Sequence, residues 1–163
     1  MREVDRIADL FERVRGGDAW HGPSVRSALE GVDANTAVAH PVPGAHSICE
    51  IVLHMTAWVQ EVRRRLRVGV AQEPEAGDWP SRSASSEPEW RTVLAALDAA
   101  NAELLKAIRA MDDVQLSDVI GEARDPALGT GVTRYVMLHG LVQHHVYHAG
   151  QISLLKKAQQ EGS

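Results

Sequence analysis

The stretch HGLVQHHVYHAGQISLLKK, residues 139–157, decides the fold. Tyr135, Leu138, Leu141, Ile152 and Leu155 fall on one face of a helix read at 3.6 residues per turn, and histidines stand where the aliphatic stripe would otherwise continue. The periodicity predicts a helix from about residue 133 to 159 that buries imidazoles. A lone histidine on an apolar face is ordinarily a packed, hydrogen-bonded residue. A pair four residues apart is different, because His144 and His148 present two ring nitrogens to one point. His145 with His148 forms an i, i+3 pair, and spacing alone leaves both pairs open. His139 lies off that face.

Three further amphipathic segments precede this one. Val4, Ile7, Phe11 and Val14 recur at three- and four-residue spacing before Gly16-Gly17, predicting a helix over residues 2–15. A turn-rich HGPS, a short apolar piece at Val25–Leu29 and a long connection through Pro41 and Pro43 follow. Ser47-Ile48-Cys49-Glu50 has capping-box form and opens a helix to Val68 whose stripe is Ile48, Ile51, Met55, Trp58, Val62 and Leu66, with His54 on its border. Ser86-Glu87-Pro88-Glu89 repeats the box before a stripe of Trp90, Leu94, Leu97, Leu104, Ile108 and Met111, interrupted by Asn101, which is expected to hydrogen-bond in the core. Strand-length alternation is missing throughout. The reading is one all-α domain over residues 1–163, a four-helix bundle with long crossover connections.

Composition narrows the function. Acidic residues outnumber basic ones 22 to 17, for a net charge of -5, so no global basic field draws nucleic acid. The run Arg63-Arg64-Arg65-Leu66-Arg67 reads as the cationic last turn of its helix. No stretch approaches the roughly 18 consecutive apolar residues of a membrane span, and the N-terminus alternates charge with apolar residues. The single Cys49, read as a packing residue, permits no internal disulfide. A cytoplasmic location with neither membrane nor nucleic-acid partner is expected. Residues 69–86, rich in Gly, Pro, Ser and Ala, form a connection long enough to cover a pocket.

A second helix must supply a third ligand, and His54 is the best-placed residue. Three neutral imidazoles hold a divalent ion while leaving positions open for water or substrate. Gly150 within a helix costs about 1 kcal/mol relative to alanine, which points to close packing or room for a ligand. Gln151 returns to the face of His144 and His148, to orient a ligand or to touch substrate. His21 and His46 stand where they could edge the pocket but are read, like His40, as surface residues; Trp58 could line the pocket but is read as a packing residue, and Trp79 stays open between loop and pocket.

Taken together, WHGPS, HSICEIVLHMTAW and HHVYHAGQI resemble the DinB/YfiT-like family of helical-bundle metalloproteins, with its one histidine on an early helix and a His-x-x-x-His followed by Gly-Gln. The resemblance implies His54, His144 and His148 as metal ligands, to the exclusion of His145. It implies nickel, zinc or iron as the ion, a homodimer, and relatives that attach bacillithiol or mycothiol to electrophiles. A peptidase-like site would carry His-Glu-x-x-His, but His145 stands where that Glu belongs, and only Glu61, seven residues beyond His54, is left as a candidate base or orienter. Thiol transfer asks for less, since a divalent cation itself favours the thiolate. The expected function is therefore metal-dependent transfer of a low-molecular-weight thiol to a small electrophile. A metal-dependent hydrolase and a non-catalytic, stress-related binding bundle stand beside it.

Overall fold

In the computed structural model, residues 1–161 are described, and the last two residues of the domain lie outside that range. The described residues form six α-helices: α1 (Glu3–Gly16), α2 (Val25–Leu29), α3 (Ala34–Val38), α4 (Ile48–Val68), α5 (Glu87–Arg109) and α6 (Arg134–Glu161). The four long ones are the four expected from periodicity. α1 and α4 each pack against α5 and α6, which makes the bundle. Among the described residues no helix is long and apolar enough to cross a membrane.

Local chemistry sets the ends of α4. The Ser47 hydroxyl accepts from the Glu50 amide at 3.2 Å and the Glu50 carboxylate accepts from the Ser47 amide at 2.7 Å, so this capping box forms. Gly69 ends the helix in the left-handed region at φ 70°, its N–H donating to the Arg65 carbonyl. The second box does not form. The Ser86 side chain makes no capping bond, and the Glu89 carboxylate accepts instead from the amide and hydroxyl of Ser85, one residue earlier.

Two elements differ from the sequence expectation. The connection before Pro41 contains α3, five residues capped by the Asp33 carboxylate accepting from the Thr36 amide at 2.8 Å, too short to show periodicity. The crossover from α5 to α6 carries a 3-10 turn (Asp113–Ser117) and a two-residue antiparallel pair, β1 (Val119–Ile120) with β2 (Val132–Thr133). Strands this short leave no alternation to read.

The core is in two parts. One gathers α1, the C-terminal halves of α4 and α5 and the start of α6, around Phe11, Val62, Leu104 and Leu138. The other gathers α2, α3 and the N-terminal half of α4 around Trp90, Met55 and Ile152. On α6 the apolar residues of the first part end at Val146 and those of the second begin at Ala149, and the histidines fall at this seam.

Candidate metal centre

α4 and α6 bring His54, His144 and His148 together. The His144 Nε2 lies 2.9 Å from the His54 Nε2 and 3.0 Å from the His148 Nε2. His54 and His148 are buried and His144 nearly so. The outer nitrogens of two rings are already spoken for. The His54 Nδ1 is 2.7 Å from the Asp78 carbonyl oxygen, and the His148 Nδ1 is 2.6 Å from the Gln151 Oε1. Each partner accepts, so each Nδ1 carries the proton and each Nε2 a lone pair turned inward. At most one hydrogen, on the His144 Nε2, is left to share among three nitrogens, and its Nδ1 is buried with no partner among the described residues.

Electrostatics points the same way. Burial, with the neighbouring His148, His54 and His145 acting in the same direction, lowers His144 to about 3. His148 falls to about 4 through burial, against an opposing hydrogen bond from Gln151. Burial also lowers His54, partly offset by Asp78. All three rings are therefore neutral near pH 7. Three neutral imidazoles with convergent lone pairs are the donor set of a borderline divalent ion, and separations of 2.9 and 3.0 Å suit nitrogens each about 2.0–2.1 Å from a common ion. The residues fit a metal.

His145 belongs to a different set. It is fully buried, with Nδ1 3.0 Å from the Leu141 carbonyl oxygen, Nε2 3.2 Å from the Asn101 side-chain oxygen and Phe11 packed edge-on at 5.0 Å. A neutral ring has one N–H, which the Leu141 carbonyl takes; the Asn101 amide is then turned so that its NH2 donates to Nε2. Asn101 is thus the core hydrogen-bonder its position in the α5 stripe implied. Together the pair ties α5 to α6 beside the cluster.

The loop after α4 closes the site with residues that sequence reading undervalued. Gly77, at φ 84° and with its amide donating to the Pro74 carbonyl, turns the chain so that Asp78 and Trp79 reach α4. The Trp79 ring stacks between His54, at 4.0 Å, and His46, at 3.5 Å. His46 is therefore part of the rim and not merely a surface residue. Trp58, expected to pack, donates its Nε1 to the Asp78 Oδ1 at 2.6 Å and meets His54 edge-on. Asp78 had no signal of its own in a polar loop.

Two expectations need correction. Glu61 faces away from the histidines in its bonding: its carboxylate accepts from Arg64 at 2.7 and 3.0 Å, from Arg65 at 2.8 Å and from the Gln72 amide at 3.1 Å. Burial raises its pKa, but these donors outweigh it and the net shift is downward, so it is a poor base. The arginine run is correspondingly more than a cationic last turn, since Arg65 is buried. Gly150 is exposed, and a Cβ built on it meets nothing within 4 Å, so no close packing within this chain explains it. Cys49 is buried, as expected of a packing residue.

The family model of the DinB superfamily matches residues 20–152, a span that includes all three histidines. The chain belongs to the DinB superfamily. Its fold is shared with the crystal structure of a conserved protein from Enterococcus faecalis, at a TM-score of 0.69 and 16% identity, covering 97% of each chain. Among curated proteins nothing matches.

Proposed function

We propose that this DinB-superfamily protein is a metal-dependent enzyme that transfers a low-molecular-weight thiol to a small electrophile. The observation that carries the reading is the convergence of three Nε2 atoms from His54, His144 and His148 with at most one proton to share among them. A divalent ion held there (zinc, nickel or iron) supplies positive charge that favours the thiolate of an incoming thiol at neutral pH. Asp78 and Gln151 hold the His54 and His148 rings with Nε2 inward. Trp79, stacked on His54, offers an apolar plate beside the reacting centre.

Hydrolysis fits less well, because it asks for an available carboxylate base. Glu61 is saturated by Arg64 and Arg65, and the Asp78 carboxylate is held by Trp58. Metal analysis of untagged protein, followed by conjugation of bacillithiol, mycothiol or simpler thiols to a chromogenic electrophile, tests the proposal. Near-stoichiometric metal and turnover, both lost in His144→Ala, are expected. A metal-replete protein that turns over no thiol and electrophile pair would leave the binding-bundle reading in its place.

The expected homodimer has its best support on α6. Val136, Tyr147 and Leu154 are exposed on the face that also carries Gly140 and Gly150, at spacings of three, four and seven residues. A second copy seated there would bury the stripe, with the glycines admitting close backbone approach. Light scattering should give twice the chain mass for the wild type and the chain mass for Tyr147→Glu/Leu154→Glu.

A further inference from the structure

A second cleft, of about 720 Å³, opens between α4, α5 and the start of α6. Its size suits a small organic ligand. Four arginines line it: Arg63, Arg64 and Arg67 from the last two turns of α4, and Arg134, the first residue of α6. On a chain of net charge -5, that concentration of one sign is local and unusual.

The acidic residues of the cleft do not answer it. Glu61 is consumed by Arg64 and Arg65, leaving Glu75 as the remaining carboxylate of the lining. Arg63 and Arg67 are exposed and make no hydrogen bond or ion pair among the described residues. Arg134 is only 14% exposed yet meets Asp118 at 3.4 Å through one terminal nitrogen, and its Nε is buried with no partner among the described residues. A buried guanidinium N–H left unmatched is costly, and an oxyanion is its natural acceptor. The floor is apolar, built from Leu66, Ala107 and Met111.

We infer that this cleft binds a small organic anion, a phosphate or carboxylate group on a short apolar body, with the charged group among Arg63, Arg67 and Arg134 and the body against Ala107 and Met111. Arg64 contributes mainly by neutralising Glu61 at the cleft wall. The inference does not depend on the metal centre, which shares α4 and α6 with the cleft but none of its lining residues.

Calorimetric titration of the full-length protein with phenyl phosphate tests it. Saturable binding is expected, of equal strength in the wild type and in His144→Ala, because the anion does not use the histidines. Arg63→Gln/Arg67→Gln, which alters only exposed side chains, should weaken it by about tenfold or more, and Arg134→Gln by a similar factor. No saturable binding at millimolar concentrations would overturn the assignment. So would binding that vanishes in His144→Ala, which would place the anion at the metal centre, or binding indifferent to both arginine variants.

Discussion

Two polar clusters are buried along α4, centred seven residues apart on His54 and Glu61, and they are balanced in opposite ways. Around Glu61 every demand is met. Arg65 donates its Nε to Glu61 and its two terminal nitrogens to the Leu128 and Gln72 carbonyls at 2.7 and 2.9 Å, and Arg64 and the Gln72 amide complete the carboxylate. Around His54 three acceptors face one another with one proton at most among them. A saturated network is a structural element, which fixes the loop after α4 to the helix. An unsaturated one has donor atoms that could hold an ion. Burial and residue type alone do not separate the two; the donor and acceptor count does.

Removing Glu61 should break the first cluster alone. Glu61→Ala strands the buried Arg65 without its anion, at a cost of about 3–5 kcal/mol in urea unfolding, while the folded protein keeps its metal stoichiometry. Intact stability with lost metal would reverse the roles given to the two clusters. His144→Ala should do the converse. Metal at a thousandfold excess over its dissociation constant stabilises a protein by about 4 kcal/mol, so the wild type should melt higher with zinc or nickel and the variant should not respond. Without metal, the variant should be at least as stable as the wild type, because it loses an uncompensated lone-pair contact.

The same contrast explains what was legible in the sequence. The four long helices follow from periodicities that extend over several turns, and the Ser47 box from a local rule that needs no tertiary information. His144 and His148 were readable as a pair because one helix fixes both. Choosing them over His145 was not readable from spacing, since the partner that claims His145 is Asn101, 44 residues away on α5. Glu61 was misread for a related reason. Helical spacing put it on the His54 side, and its arginines, next door in sequence, were read as a charge run. Asp78, Trp79 and His46 reach the site through a loop whose path depends on a Gly77 turn, and loop composition carries no record of where a loop lands.

Buried and saturated histidine should reveal itself through acid. His145 is held neutral by burial, with its pKa lowered to about 4. In the unfolded chain the ring takes up a proton near pH 6.5, whereas in the fold it does so only near 4, so the unfolded state binds more protons as pH falls between those values. Stability is therefore full above about pH 6.5 and declines toward pH 4, by about 3 kcal/mol from this residue. In metal-free protein, His145→Gln should flatten unfolding free energy against pH over that window relative to the wild type. Equal slopes would mean that His145 titrates freely and that the Asn101 lock is weak.

The smallest effects distinguish the two contacts that orient the ligand rings. Gln151 reaches the His148 Nδ1 with its side chain, so Gln151→Ala removes the contact outright and should weaken metal binding by about 10–100-fold, measured by competition with a chromogenic chelator. Asp78 reaches the His54 Nδ1 chiefly through its backbone carbonyl, at 2.7 Å against 3.3 Å for the carboxylate. Asp78→Ala retains that carbonyl and loses the Trp58 bond, so its effect on metal affinity should be no more than a few-fold, with Trp58 fluorescence changed. If Asp78→Ala proved the more damaging of the two, the carboxylate and not the backbone would be what holds His54, and the loop would act on the centre through its charge as well as its path.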